Sequence, residues 1–395
     1  MIAVQVAKDK IVASVRPLPT ETRTLTGAIG YVLAVDVQAA VPLPIFTQSA
    51  MDGYAICHLD VSGAHTSLRV KGESKAGYGV EQEIARGEAM RIFTGAPMPK
   101  GATTVVMQEY VTVRDGHIIL NSISIAAGQH VRYQGQQIQA GEVALSAGTL
   151  LTAGALGFLA GFGITHVEVI RKPRVGILLT GDELVDPGQA LKPGMIFESN
   201  SVMLEGALHK EGIVDIRIDS AEDQPDEVTE RLADLIDWAD LVLTSGGISV
   251  GDYDYVAAAM EHLDVKKIFY KVRQRPGKPL FFGTLSGKLL FALPGNPASS
   301  LVCFYEYVLP ALRGLYGRSD LFLPSFRLPS LKDYSFSGER DEFLKAFVEE
   351  GRVTPLFGQE SFALRSFALA NALVYLPVSQ QEVKKGELVE VHLLP

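Results

Sequence analysis

The sequence has few cysteines, no excess of positive charge and no signal for export. Only Cys57 and Cys303 occur, which does not resemble a disulfide framework and fits a reducing compartment. The first residues lack the basic start and apolar core of a signal peptide, so we expect a cytoplasmic protein. Lys and Arg total 36 against 45 Asp and Glu, and the net charge is −9. Broad attraction to nucleic acid or to an anionic membrane is therefore not expected, and any anion must be captured locally.

One uncharged segment, residues 143–167, is long enough to cross a bilayer. Its serine, threonines and five glycines make its hydropathy mixed, so a buried strand and helix are favoured over a membrane span. The eight histidines show neither H-x-H nor H-E-x-x-H spacing, and zinc is therefore not indicated.

The middle of the chain alternates apolar strands with amphipathic helices, from Lys172 to about Leu312. This alternation predicts an α/β domain with a mainly parallel sheet. Predicted strands are 174–179, 214–219, 240–244, 267–272 and 288–292, and predicted helices are 200–211, 225–238 and 297–312. Residues 45–137 instead hold short β-like runs broken by Gly, Pro and Asp, and this texture returns from about Phe322, with strands expected at 372–378 and 388–393.

A glycine-rich loop follows the predicted strand at 240–244. Its glycines let the backbone approach a ligand closely, and its hydroxyls add donors beside exposed N–H groups. The loop ends on Asp252, a hard oxygen ligand that suits Mg²⁺ bridging to phosphate or oxyanion oxygens. The residues concerned are Thr244, Ser245, Gly246, Gly247, Ser249, Gly251 and Asp252.

The same loop admits a second interpretation. Residues 247–251 match the G-x-S-x-G nucleophile elbow, and Asp333 or Asp341 with His392 would complete the Ser, acid, His order of a hydrolase. This alternative is less favoured, because Asp252 and Asp254 follow where an elbow passes into a packed helix, and His392 lies in a terminal strand.

Two further loops should reach the same edge of the sheet, where ligands of α/β domains bind. Residues 180–183 form a glycine turn followed by carboxylates. Residues 294–297, Pro-Gly-Asn-Pro with Ser299 close behind, form either a turn and helix cap or an anion-binding helix start.

Residues 271–278 concentrate four cations, and their Pro-Gly turn would hold Arg275 and Lys278 as a rigid pair of donors for a tetrahedral oxyanion. We favour that role over a solvated charge cluster.

Six motifs in order give the chain a resemblance to the molybdopterin molybdenumtransferases, the MoeA family related to the gephyrin E-domain. They are SAMDGYA at 49–55, FTGAP at 93–97, TGDEL at 180–184, SGGISVGD at 245–252, PGKP at 276–279 and LPGNP at 293–297. The resemblance covers essentially the whole chain. It implies a homodimer that inserts molybdate into adenylylated molybdopterin and releases AMP with Mg²⁺, with a molybdopterin adenylyltransferase as pathway partner and no nucleic acid or membrane.

The resemblance also implies roles for individual residues. Glu183 and Asp252 would bind Mg²⁺ and phosphates with Asp223 nearby, while Asp52 and Thr94 would reach this cleft from the partner subunit. Cofactor contacts would come from Ser245, Gly246, Gly247, Ser249, Gly251, Pro294, Gly295 and Asn296, and molybdate contacts from Arg275, Lys278, Ser299, Lys345 and Ser361. Two departures stand out, since the family commonly has Lys at position 275 and Arg at position 345.

We therefore predict a four-part chain. A molybdopterin-binding-like α/β domain would combine residues 1–20 and 171–320, a β-rich linker 21–44 and 138–170, an inserted β-rich domain 45–137, and a C-terminal β-barrel-like domain 321–395. Two other functions remain open. A binding scaffold would not need the carboxylates and the basic pair, and a nucleotide-processing enzyme sharing the central fold would leave the flanking domains unexplained.

Overall fold

A six-stranded mixed sheet forms the centre of the protein in a computed structural model that describes residues 1–77, 82–121, 124–247 and 255–395. Its first four strands are parallel, and the last two add antiparallel pairings at one edge. The spatial order is Ile216–Ala221, Val175–Thr180, Leu241–Ser245, Lys288–Leu293, Phe281–Leu285 and Lys266–Tyr270. The predicted α/β fold class is thus confirmed, although the sequence analysis missed the strand Phe281–Leu285.

Side chains of the central strands alternate between two separate cores, as expected for a sheet covered on both faces. Ile177, Leu243 and Phe291 point into a core that also contains Val4 and Tyr307 from helices. Their strand neighbours belong to the opposite core, packed against the helices Pro225–Trp238 and Tyr255–His262; they are Leu178, Val242, Leu290 and Ala292.

The helices agree with the predicted positions where the sequence was strongly periodic. Prediction and structure coincide for Pro225–Trp238, which has proline in its first turn, whereas Val4–Ser14 and Tyr255–His262 were missed. The region predicted as one helix at 297–312 is a continuous run whose middle turn, Phe304–Val308, is π-helical. The α-helices are Val4–Ser14, Ala153–Ala160, Asn200–Lys210, Pro225–Trp238, Tyr255–His262, Pro297–Cys303, Leu309–Leu315 and Leu364–Leu369, and 3-10 turns lie at Thr26–Ala28, His58–Asp60, Gln108–Tyr110 and Val378–Gln380.

Further sheets lie within residues 20–170. One six-stranded sheet has the order Thr104–Met107, Gly53–Ile56, Glu88–Ile92, Ser67–Ser74, His117–Leu120 and Val111–Arg114. A three-stranded sheet consists of Thr20–Thr24, His166–Ile170 and Val32–Leu33, and short pairs join Gln48–Ser49 to Val131–Arg132 and Val37–Gln38 to Val143–Leu145.

The uncharged segment at 143–167 contains a short strand and an eight-residue helix, Val143–Leu145 and Ala153–Ala160. Thr152 caps this helix by accepting a hydrogen bond from the N–H of Ala155. Within the described ranges, no helix has both the length and the apolar character that a membrane crossing requires.

The C-terminal sheet includes a short strand from the central domain. Gln274–Arg275 pairs in parallel with Asp341–Glu349, with Arg275 opposite Glu342. After Asp341–Glu349, the strands follow in the order Ala372–Leu376, Leu388–Leu393 and Ser325–Pro329, and Arg352–Pro355 also pairs with Asp341–Glu349. A separate two-stranded pair joins Tyr334–Ser335 to Glu382–Val383. Another, outside the C-terminal region, joins Leu184–Val185 to Ile196–Phe197. The exact bounds of the four predicted domains stay predictions.

Candidate active site

Three adjacent parallel strands end at one cavity of about 780 Å³, which we call the carboxylate cavity. Thr180, Ser245 and Leu293 are the last residues of these strands, and the loops predicted to bind an anion follow them. The cavity is lined, among others, by Glu183, Asp223, Ser245, Gly246, Gly247, Pro294, Gly295 and Asn296. This is the edge at which α/β sheets bind their ligands.

Glycine is required where the loops cross. Gly246 has a φ of +97°, and a Cβ there would lie 2.6 Å from the carbonyl oxygen of Thr180. A Cβ on Gly295 would lie 3.7 Å from the Cα of Gly246. The loops therefore pack backbone against backbone at Gly246, where a side chain has no room. Ser249, Gly251 and Asp252 lie outside the described residues.

Asn200, which the sequence analysis missed as a site residue, joins two of the loops. Its Nδ2 donates to Ser245 Oγ and to the Gly295 carbonyl, both at 2.8 Å. Asn200 Oδ1, Thr180 Oγ1 and Thr244 Oγ1 are buried and have no hydrogen-bond partner within the described part of the chain. Such atoms are rare in native proteins, and three of them around these strand ends fit a site that binds a polar ligand.

Glu183 and Asp223 are acidic residues that line the carboxylate cavity, and Asp182 lies beside Asp223. The Asp223 N–H donates to Asp182 Oδ1 at 3.0 Å. Burial raises the pKa of Asp223, and the charges of Asp182 and Glu183 raise it further. A cation would relieve this repulsion, and carboxylates are the ligands that Mg²⁺ prefers, so the residues present fit a magnesium ion. The described residues nevertheless contain no ready-made group of three His, Cys, Asp or Glu metal ligands.

A second cavity of about 480 Å³ is lined by cations, and we call it the cation cavity. Arg275, Lys278 and Ser299 line it, as does Ser361 from the C-terminal part of the chain. Two hydrogen bonds join the helix start at residues 296–299 to Ser361. The Ser299 N–H donates to the Ser361 carbonyl at 3.2 Å, and Asn296 Nδ2 donates to Ser361 Oγ at 3.1 Å. The two cavities share Pro279, Pro294, Asn296 and Phe362.

Arg275 is oriented by the C-terminal sheet. Its Nη1 donates to Glu342 Oε1 at 3.3 Å, and the other oxygen of Glu342 accepts from the Tyr334 hydroxyl at 2.7 Å. The Arg275 side chain is 61% exposed whereas that of Glu342 is 4% exposed. The guanidinium therefore has a fixed anchor on one side, and among the described residues its other N–H donors bond to no further side chain.

Lys345 does not line either cavity. It is fully buried, and its Nζ donates to the carbonyls of Glu360 and Ala363, each at 3.1 Å. Burial lowers its pKa to about 8, against the opposing charge of Glu360. Lys345 thus supports the loop that carries Ser361. The cation that the C-terminal region presents to the cavity is Arg340, a residue that the sequence analysis did not select.

Asp52 and Thr94 pair with each other in the first six-stranded sheet region. Asp52 Oδ1 accepts from the N–H and from the hydroxyl of Thr94, both at 2.7 Å. These two hydrogen bonds lower the pKa of Asp52. Neither residue lines either cavity of this chain, so their predicted action from a partner subunit stays a prediction.

The residues of the hydrolase alternative are engaged elsewhere. His392 is buried and bonds to Glu306 and Glu390, and Asp341 accepts from the Tyr375 hydroxyl and the Val378 N–H. Neither lines the two cavities.

An α/β domain with a carboxylate-lined cavity at its strand ends and an adjoining cation cavity belongs to the class that binds an anionic ligand at the carboxyl edge of the sheet.

Comparisons with known proteins identify the family. Family models match residues 2–163 (MoeA N-terminal region, domain I and II), 176–314 (probable molybdopterin binding domain) and 327–394 (MoeA C-terminal region, domain IV). A molybdopterin molybdenumtransferase of Nostoc sp. is 36% identical over 95% of this chain and 89% of its own length. One of Haemophilus influenzae is 34% identical, with 100% of both chains covered.

Solved structures agree with these sequence matches. The crystal structure of the molybdopterin biosynthesis MoeA protein from Pyrococcus horikoshii OT3 has a TM-score of 0.87 and 29% identity, with both chains covered completely. The chain belongs to the molybdopterin molybdenumtransferase (MoeA) family. It is accordingly a transferase of molybdenum cofactor biosynthesis.

Proposed function

We propose that the two cavities form one composite site, in which molybdate is inserted into adenylylated molybdopterin with release of AMP in a Mg²⁺-dependent reaction. The observation that carries this proposal is the boundary the cavities share at Pro279, Pro294, Asn296 and Phe362. An elongated substrate can place its phosphates beside the carboxylate cavity while its metal-binding end reaches the cation cavity. The names of the curated relatives support the substrate class.

Each cavity has a separate task in this proposal. Glu183 and Asp223, with Asp252 from the sequence motif, would hold the Mg²⁺, which supplies positive charge to the phosphate oxygens. Ser245 keeps its hydroxyl proton available as a donor, because its oxygen accepts from Asn200. Arg275, Lys278 and Arg340 would bind molybdate through charge-assisted hydrogen bonds.

AMP release tests the reaction directly. Purified protein with adenylylated molybdopterin, molybdate and Mg²⁺ should release AMP and form active cofactor. Glu183→Gln should reduce AMP release at least tenfold while the protein stays folded, because a neutral amide binds Mg²⁺ weakly. Glu230→Gln, on the exposed face of Pro225–Trp238, is the matched control. Absence of AMP release by the unsubstituted protein would refute the reaction, and full turnover by Glu183→Gln would remove this carboxylate from it.

We also propose a homodimer in which Asp52 and Thr94 of one subunit complete the site of the other. Asp52→Ala and Glu183→Ala proteins should each be inactive alone and should regain partial activity when co-expressed, because a mixed dimer contains one intact composite site. An active protein that is monomeric by light scattering would contradict this arrangement.

A further inference from the structure

A buried hydrogen-bond network lies directly beneath residues 275–278, which we call the oxyanion turn. The network begins at Tyr307 in the π-helical turn Phe304–Val308. Tyr307 is fully buried, and its hydroxyl donates to Gln274 Oε1. Turns of π-helix are rare and frequently occur at functional sites.

Gln274 and Cys303 carry the network to the backbone of the oxyanion turn. Gln274 Nε2 donates to the Pro276 carbonyl at 3.0 Å and contacts Cys303 Sγ at 3.8 Å. The Cys303 thiol donates to the Gly277 carbonyl at 3.6 Å. The two carbonyls at the centre of the turn, between Arg275 and Lys278, are therefore both held from below by fully buried side chains.

Little space separates the turn from this network. Gly277 has a φ of +82°, and a Cβ there would lie 2.6 Å from Cys303 Sγ and 2.9 Å from Gln274 Nε2. The backbone therefore rests on the network without an intervening side chain. A shift of Gln274 must move the carbonyl of Pro276, and with it the neighbouring cations, because interiors packed this closely transmit displacement.

We infer that Tyr307 and Gln274 are positioning residues for the anion-binding end of the site, which fix the backbone between Arg275 and Lys278. The inference rests on the proposed function, because it assigns molybdate to the cation cavity. The Tyr307 hydroxyl fixes which end of the Gln274 amide is the acceptor, so that the NH₂ group faces Pro276 and Cys303. Without this donor the amide loses its fixed orientation, and the turn loses its support.

The experiment compares two tyrosine variants. Tyr307→Phe removes only the hydroxyl that donates to Gln274. The matched control Tyr316→Phe removes the hydroxyl of another buried tyrosine, which donates to Glu211 at 3.1 Å. We expect Tyr307→Phe to raise the molybdate concentration for half-maximal insertion roughly tenfold, about 1.4 kcal/mol. The maximal rate and the affinity for adenylylated molybdopterin should change little, and Tyr316→Phe should leave all three unchanged.

A second pair of variants tests the sulfur contact. Cys303→Ser retains a donor to the Gly277 carbonyl and should titrate with molybdate nearly as the unsubstituted protein does, whereas Cys303→Ala should resemble Tyr307→Phe. Direct calorimetric titration with molybdate supplies a readout that needs no turnover. If Tyr307→Phe and Cys303→Ala bind molybdate like the unsubstituted protein, the positioning role is wrong. If the unsubstituted protein binds molybdate but releases no AMP, the proposed reaction fails instead.

Discussion

Arg340 and Lys345 lie close together in sequence, yet their surroundings give them different tasks. Arg340 is partly exposed and lines the cation cavity. Lys345 is fully buried, with its ammonium group on two carbonyls of the loop that carries Ser361. A guanidinium presents a planar fork of donors to an oxyanion, so Arg340 is the better candidate for contact with molybdate.

Arg340→Ala should therefore weaken molybdate binding. A charge-assisted hydrogen bond contributes about 1.5 to 3 kcal/mol, so we expect a tenfold to roughly hundredfold higher molybdate requirement, taking 1.4 kcal/mol per decade. Affinity for adenylylated molybdopterin should stay the same. The check is a molybdate titration of insertion, with Arg327→Ala, an exposed change in Ser325–Pro329, as control. Identical titrations for the two variants would exclude Arg340 from the pocket.

Sequence alone could select Arg275 and Lys278, because a Pro-Gly turn and a cluster of cations are local signals. It could not select Arg340, because that residue reaches the cavity only through the pairing of Gln274–Arg275 with Asp341–Glu349. Strand pairing between distant segments leaves no local pattern. Asn200 was missed for a related reason, since its hydrogen bonds to Ser245 and Gly295 join segments that lie far apart in the sequence.

At the scale of elements, the first residue of the helix Asn200–Lys210 connects the ends of two strands. Its two side-chain hydrogen bonds reach Ser245, the last residue of one strand, and Gly295, in the loop after the neighbouring parallel strand. The helix start thus fixes the separation of the loops that line the carboxylate cavity.

Asn200→Ala should separate these loops. The loss of both hydrogen bonds should lower the free energy of unfolding by about 1 to 3 kcal/mol and reduce AMP release at least tenfold. Asn200→Asp should not restore activity, since an ionised carboxylate cannot donate to Ser245 or Gly295. Thermal unfolding and AMP release measure the two effects. Asn121→Ala removes an asparagine side chain that accepts from Thr112 in another sheet region and controls for the loss of an asparagine as such. Normal turnover by Asn200→Ala would disprove this role.

Elements with a strong local period were predictable, and elements defined by their neighbours were not. The parallel strands appeared as apolar runs, whereas Phe281–Leu285 pairs antiparallel and is interrupted by Gly283. The π-helical turn could not be foreseen, because nothing in the sequence pattern distinguishes Phe304–Val308 from the α-helical residues on either side.

At the scale of the whole molecule, a buried ionic network joins both ends of the chain to the middle. Glu306, in the π-helical turn, accepts from Lys8 at 2.6 Å and bonds to His392 at 2.7 Å. Burial would raise the pKa of Glu306, yet Lys8 and His392 lower it to about 2. Burial would likewise lower the pKa of His392, but Glu306 and Glu390 raise it to about 9.

This network predicts that stability falls as pH rises. Between the ordinary His pKa of 6.5 and the folded value of about 9, the folded state holds the His392 proton and the unfolded state does not. The stabilisation is complete below pH 6.5 and is lost through pH 9, on the order of 3 kcal/mol. Thermal midpoints measured from pH 6 to 10 should decline, and His392→Gln should flatten that decline. The exposed change His117→Gln should not, and an equal slope in all three proteins would contradict the assignment.

The burial of both cysteines gives the protein an internal reporter of local opening. Cys303 is fully buried under the oxyanion turn and Cys57 is 9% exposed, and burial with the nearby Glu306 charge raises the pKa of the Cys303 thiol. Alkylating reagents attack thiolates, so Cys303 can be modified only when the turn lifts. The rate at which Cys303 is alkylated then reports how often the oxyanion turn opens. A bound oxyanion that holds the turn in place should slow the alkylation of Cys303 and leave the alkylation rate of Cys57 unchanged.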